Sequence, residues 1–257
     1  MSSKSRAIIL TYHSISDGPP PLAISPALFA EQMEWLKANA SVVPLGEIVD
    51  ALQNRRTLPQ RCVALTFDDG YLDFLLNAHP MLSRLQLPAT VFLPTDHCGQ
   101  TNVWSRQSRG LGQQPLMPWE KIRQLAGQGI EFGSHGASHV ALDGIGPEEL
   151  DREISGSKKE ITARLDRAPD FFCYPYGIWN PAVRDVVRRH YRAACSTGAG
   201  LVEPASDPYA LPRVDAHYVR DPAWFHRMFS LSFGAYVALR RLIRRLRSRP
   251  EGFLSRV

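Results

Sequence analysis

Cys62-Val63-Ala64-Leu65-Thr66-Phe67-Asp68-Asp69-Gly70 is an apolar run that ends in two carboxylates and a glycine. No polar residue interrupts it before Thr66, so the segment reads as a strand covered on both faces. A strand of that kind belongs to a mostly parallel sheet with helices packed outside it. The paired acids at its end make that end of the sheet the place to look for chemistry. The second informative stretch is Ser134-His135-Gly136-Ala137-Ser138-His139, where another apolar run gives way to two histidines four residues apart.

Outward from Cys62 the chain alternates short apolar runs with helical spacing. Strands are expected at 7–12, 62–67, 89–94, 130–133, 171–174 and 192–196, the last being the final clear one. A helix starts at Pro26 behind the N-cap Ser25, carries Phe29, Met33 and Leu36 on one face, and runs to about Asn39. Further helices are expected at 45–53, 72–86, 119–127, 147–165 and 181–190. Repeated alternation implies a mostly parallel sheet, open or closed into a barrel. In barrels of this kind the active site lies at the C-terminal ends of the strands. Asp68, Asp69, His135 and Tyr176 all fall just past expected strand ends, which points to one site on one face.

The bulk composition sets limits. At 257 residues, with 44% apolar and 21% charged side chains, the chain suits a soluble globular protein of one large domain or two small ones. The net charge of +5 is concentrated at one end: from Arg240 onward there are seven arginines against the single Glu251, which leaves the preceding residues at −1. A near-neutral body with a basic tail is not the footprint of a nucleic-acid-binding domain. We therefore divide the chain into a domain at 1–222 and a basic amphipathic C-terminal segment at 223–257. The apolar residues from Trp224 to Leu246 interleave with arginines at 240, 241, 244, 245 and 247. That pattern suits either a helix resting on anionic lipid or one packed on the domain with a solvated arginine face. No stretch approaches the ~18 apolar residues of a membrane span. The short apolar run at Ala7–Leu10 is not a signal-peptide core, so a cytoplasmic location is expected, with peripheral contact at the inner face of the membrane. Cys62, Cys98, Cys173 and Cys195 are far apart and form no C-x-x-C pair, consistent with a reducing compartment.

Two adjacent acids after a strand point in different directions, so one can bind a cation while the other approaches a water beside it. Histidines at a spacing of four present both imidazoles on one side of a turn. Together these are the parts for a divalent metal that activates water.

Thr66-Phe67-Asp68-Asp69-Gly70, then Ser134-His135-Gly136-Ala137-Ser138-His139, then Tyr174-Pro175-Tyr176-Gly177, resemble in order and spacing the first three motifs of the polysaccharide deacetylases, the NodB-homology family or carbohydrate esterase family four. The resemblance spans roughly residues 7 to 215. Tyr12-His13-Ser14-Ile15, Asn77-Ala78-His79-Pro80 and the stretch from Trp119 to Gly129 are similar to one branch of that family. It implies a distorted (β/α) barrel of about seven strands and metal-dependent hydrolysis of N-acetyl groups on an N-acetylated sugar or polysaccharide intermediate in bacterial surface polysaccharide biosynthesis. Asp69, His135 and His139 would hold one divalent ion, for which zinc suits the donors and cobalt, nickel, iron or manganese are also compatible. Asp68 would be the general base. Pro175 and Tyr176 would line the acetate pocket, with the Tyr176 backbone N–H offered to the oxyanion. An alternative is hydrolysis of another non-peptide C–N bond, or a catalytically silent carbohydrate-binding domain.

The chain departs from the family pattern twice. Many members carry an arginine two residues before the motif proline, orienting the base; here that position is Cys173. Arg213, in Leu211-Pro212-Arg213-Val214, is expected to supply the guanidinium from a later strand. The usual late histidine acid has no clean copy. His13 at the end of the first strand is the candidate and His217 the second, while His79, His97, His190 and His226 read as structural or surface residues. The segments 96–117 and 197–210, which would set sugar type and length, carry no readable pattern, and oligomeric state is equally silent.

Overall fold

In the computed structural model, which describes residues 6–104 and 112–247, seven parallel strands close into a barrel. They are β1 (Ala7–Tyr12), β2 (Cys62–Phe67), β3 (Thr90–Leu93), β4 (Glu131–Ser134), β5 (Phe171–Cys173), β6 (Ala193–Ala199) and β7 (Leu211–Asp215). Each pairs with the next, and β1 closes the ring by pairing with both β2, in register from Ala7↔Cys62 to Tyr12↔Phe67, and β7, at Leu10↔Val214. A two-residue strand, Ser41–Val42, pairs with the start of β2 at Cys62 and Val63. Because every barrel strand runs the same way, all seven C-terminal ends lie on one face.

Side chains alternate between two cores. Ile8, Leu10, Tyr12, Val63, Leu65 and Phe67 join the outer core under the helices. Ala7, Ile9, Cys62, Ala64, Phe171, Cys173, Ala193, Cys195 and Leu211 fill the barrel, together with Leu45, Ile48 and Val49 of helix α2 (Leu45–Gln53). That helix closes the N-terminal end: Arg192, just before β6, forms an ion pair with its Asp50. Six of those nine strand residues are alanine or cysteine, which leaves room near the other end for a large polar side chain.

Outside lie α1 (Pro26–Asn39), α3 (His79–Leu85), α4 (Trp119–Gly127), the run Pro147–Asp151, Arg152–Gly156 and Ser157–Leu165 (together α5), α6 (Pro181–His190), α7 (Pro222–Phe225) and α8 (Leu231–Arg247). Ser25 caps α1 by accepting from Leu28 N, as its position before Pro26 predicts. The helix expected at 72–86 begins instead as a π turn, Phe74–Ala78, leading into α3. Pro80 lacks the N–H that would bond four residues back, and His79 N–H reaches five residues back to Phe74 O.

The run at 192–196 extends to Ala199 as β6, and the later strand expected around Arg213 follows as β7 and closes the barrel. Phe225, Met228, Phe233 and Val237 of the C-terminal segment bury in the same cluster as Leu10, Leu65 and Met33. All four cysteines are free thiols, three of them buried. No helix among the described residues is long and apolar enough to cross a membrane.

Candidate active site

Three turns at the C-terminal face bring the motif residues together, and each turn contains a non-glycine residue in the left-handed region. Asp69 (φ 71°), His139 (φ 58°) and Tyr176 (φ 57°) are three of the seven such residues described. Side chains enter this region at a cost of about 1–3 kcal/mol each, tolerated where surrounding structure imposes it. After β2, Asp68 keeps the inward parity of Ala64 and Thr66, and its N–H donates to Tyr12 O at 2.9 Å. The reversal at Asp69 and Gly70 then aims the second carboxyl at the histidine loop.

Asp69 Oδ1 lies 3.5 Å from His135 Nε2 and 3.2 Å from His139 Nε2. Ligands about 2.0–2.1 Å from a tetrahedral zinc stand roughly 3.3 Å apart, so the spacing suits a small divalent ion. The protonation pattern agrees. His135 Nδ1–H donates to Cys173 O at 2.7 Å, so in the neutral ring Nε2 presents a lone pair. Burial pushes the His135 pKa down to about 4, keeping the ring neutral. The Tyr176 hydroxyl lies 3.2 Å from His139 Nδ1 and would fix the second ring in the same sense. Asp69 Oδ1 is itself buried without a hydrogen bond. Lone pairs facing a buried carboxylate oxygen lack only a cation between them.

Asp68, Asp69's neighbour, has its needs met differently. Arg213 Nη1 donates to Oδ1 at 2.8 Å and Nη2 to Oδ2 at 2.7 Å, a bidentate pair in which each residue is 2% exposed. Arg213 Nη1 also reaches Thr66 Oγ1 at 3.2 Å, and Nε donates to Ser196 O at 3.0 Å. Burial alone would raise the Asp68 pKa, but the guanidinium outweighs it and holds the carboxyl well below the ordinary range. Asp68, His135 and Cys173 also bring donor atoms within 4.8 Å of one another. That second set is the poorer one: Arg213 occupies both Asp68 oxygens, and burial keeps Cys173 a neutral thiol.

Glu153 escapes the sequence reading. Fully buried in the π turn Arg152–Gly156 of α5, it accepts from Ala137 N (2.8 Å), Ser138 N (3.0 Å) and Ser138 Oγ (2.6 Å), which ties down the loop between the two histidines. Gly136 (φ +80°) is required there, since a Cβ would lie 2.9 Å from Glu153 Oε2. The available signal was an acid on a buried helical stripe, at spacings of four and eight from Ser157 and Ile161, both buried. A Glu153→Gln amide would turn one acceptor into a donor facing backbone N–H groups. We expect metal affinity to fall about 10–100-fold, as for other groups that hold metal ligands in place; unchanged affinity in a metal titration would show that the loop holds itself.

The remaining expected residues are distributed as follows. His13 stands just past β1 with Nε2 3.8 Å from Asp68 Oδ2, on the catalytic face. Pro175 is buried at the start of the turn Pro175–Gly177, and Tyr176 reaches the site through its hydroxyl. His217, in the turn Ala216–Val219 after β7, has its Nδ1 buried without a hydrogen bond. His226 stacks on Trp35, and His97 Nε2 lies 3.3 Å from Ser138 O, bracing the loop. Trp104, not singled out in the sequence, has its ring 4.1 Å from that of His139 and walls the site on that side.

Comparison with known proteins agrees with this architecture. The family model described as polysaccharide deacetylase matches residues 55–193. YxkH of Bacillus subtilis, provisionally named a polysaccharide deacetylase, is 28% identical over 232 residues, covering 89% of this chain and 75% of that protein. A poly-beta-1,6-N-acetyl-D-glucosamine N-deacetylase of Staphylococcus aureus is 25% identical over 218 residues, 79% of this chain and 70% of that protein. The Streptococcus pyogenes deacetylase PplD, solved with acetate, shares the fold at a TM-score of 0.73 and 24% identity, over 83% of this chain and 93% of that one. IcaB from Ammonifex degensii does so at 0.73 and 22%, over 89% and 97%. A closed seven-stranded barrel, the motifs grouped at one face and a family match across more than half its length lead to one conclusion: the chain belongs to the polysaccharide deacetylase family.

Proposed function

We propose that this protein is a metal-dependent N-deacetylase acting on an N-acetylated glycan of the kind used in bacterial surface polysaccharide synthesis. The observation that carries the reading is the pairing of two differently treated carboxyls: Asp69 faces two imidazole nitrogens with an unsatisfied oxygen, while Asp68 beside it is gripped by Arg213. A pure sugar-binding domain has no use for that division of labour. The S. aureus relative that acts on a β-1,6-linked N-acetylglucosamine polymer supports the substrate class.

Asp69, His135 and His139 would hold the ion. A divalent cation there supplies Lewis acidity toward the attacking water and the amide carbonyl. Asp68 takes the proton of the water as its oxygen attacks the carbonyl carbon. Arg213 keeps that carboxyl ionised and in one orientation. Pro175 and Tyr176 line the acyl side, and the Tyr176 N–H donates to the developing oxyanion. As the C–N bond breaks, His13 protonates the departing amine, leaving acetate and a free amino sugar.

The test is metal content and acetate release from N-acetylglucosamine oligomers, β-1,6-linked ones included. Chelation is expected to abolish release and added zinc or cobalt to restore it. Metal bound without cleavage of any N-acetylated glycan would overturn the substrate class; failure to bind metal at all would overturn the triad.

A further inference from the structure

Helix α8 (Leu231–Arg247) is amphipathic in a way that the barrel does not use up. Its inner face is anchored: Phe233 and Val237 are buried, Tyr236 stacks on Trp224 at 4.0 Å, and the Tyr236 hydroxyl donates to Tyr218 O at 2.6 Å. Arg240 Nε donates to the Tyr236 hydroxyl at 3.0 Å, and its guanidinium lies 5.2 Å from the centre of the Tyr218 ring. The helix is thereby held in one rotational setting.

The opposite face carries Leu231, Ala235, Ala238, Leu239 and Leu242, all exposed at helical spacing. Leu231 is 92% exposed, and Leu239 and Leu242 are each 54% exposed. These three are the majority of the five large apolar side chains left exposed among the described residues, the others being Leu76 and Val103. Exposed leucines gathered on one stripe of one helix call for an occupant.

Charge selects that occupant. From Pro222 to Pro250 the sequence contains no Asp or Glu and seven arginines, at 227, 240, 241, 244, 245, 247 and 249. Two copies meeting along this helix would bring together two segments of the same positive charge. Apolar residues flanked by arginines fit a surface that is apolar beneath and anionic above. We propose that α8 docks this protein on an anionic phospholipid surface, with Leu231, Leu239 and Leu242 entering the acyl boundary and Arg241, exposed beside them, meeting the headgroups. Tyr218 sits in the turn just past the C-terminal end of β7, so Arg240 stands at the catalytic end of the barrel. Docking there would hold the site beside glycans assembled at a membrane.

The experiment is co-sedimentation of the full chain with phosphatidylcholine vesicles with and without phosphatidylglycerol. Binding is expected only when phosphatidylglycerol is present, weakening as salt rises. Leu239→Ser with Leu242→Ser is expected to weaken it at least tenfold, and Arg241→Glu by more than the roughly fivefold worth of one charge near such a surface. These positions are exposed and none is a motif residue, so melting temperature and acetate release from soluble oligomers should stay at wild-type levels. Absence of phosphatidylglycerol-dependent binding overturns the proposal. So does full binding by the double leucine variant, or self-association of the wild type that the same leucine changes remove.

Discussion

Asp68→Asn protein, loaded with metal to the wild-type level, is expected to release acetate about 10²–10⁴-fold more slowly, the range a positioned general base contributes. The substitution is nearly isosteric and removes the proton acceptor without touching Asp69 Oδ1 or either imidazole Nε2. The loss should therefore fall on kcat, with metal content and substrate binding preserved. One secondary effect follows from the bidentate pair. An amide offers Arg213 one acceptor where the carboxylate offered two, leaving a buried guanidinium N–H unpaired at about 1–3 kcal/mol. A lower melting temperature should accompany the slower turnover, so activity is to be read well below it. Loss of the metal would instead make Asp68 a ligand, through the set it forms with His135 and Cys173. Near-wild-type turnover would remove Asp68 from the mechanism.

What could be read in the sequence divides along physical lines. The strands of the barrel's first half and the two histidines are local signals: an apolar run with both faces covered, and a spacing of four. β7 was legible only through Arg213, because Leu211-Pro212-Arg213-Val214-Asp215 mixes apolar with polar residues and contains a proline, although the barrel buries Arg213 fully. Its inward polar residue is there for Asp68, and that partnership spans 145 positions of chain. Glu153 escaped for the same reason. Its partners at 137 and 138 belong to a different element, and a glutamate within a helix is unremarkable until its stripe is known to be buried. In the C-terminal helix the arginines were conspicuous and drew the polar face to themselves. The structure instead turns leucines outward and lays Arg240 across Tyr218 and Tyr236. Periodicity identified the helix, but which apolar residues met the barrel depended on tertiary packing.

Arg213→Ala is expected to be the most damaging single change for stability and to alter the pH profile in a way that no loss of packing would. Removing one member of a buried ion pair leaves the other charge unsolvated, at about 3–5 kcal/mol. The sign with pH follows from Asp68. In the wild type its folded pKa lies below the unfolded value of ~3.9, so the pair stabilises the fold at all higher pH and is lost only as pH falls through the folded value. Without Arg213, burial dominates and the folded pKa rises above the unfolded one. The isolated carboxyl then costs stability increasingly as pH rises, and the gap in melting temperature between wild type and variant should widen from acid toward neutral pH. The acid limb of kcat/KM should move to higher pH for the same reason, since the base must first lose its proton. Arg213→Lys separates charge from geometry: an ammonium restores part of the electrostatic support but cannot donate to both oxygens as the planar guanidinium does. It should regain stability before it regains rate. An Arg213→Ala protein with wild-type turnover and an unshifted acid limb would mean that Asp68 is oriented by Cys173 and His13 alone, and that the guanidinium from β7 serves only to fill the barrel.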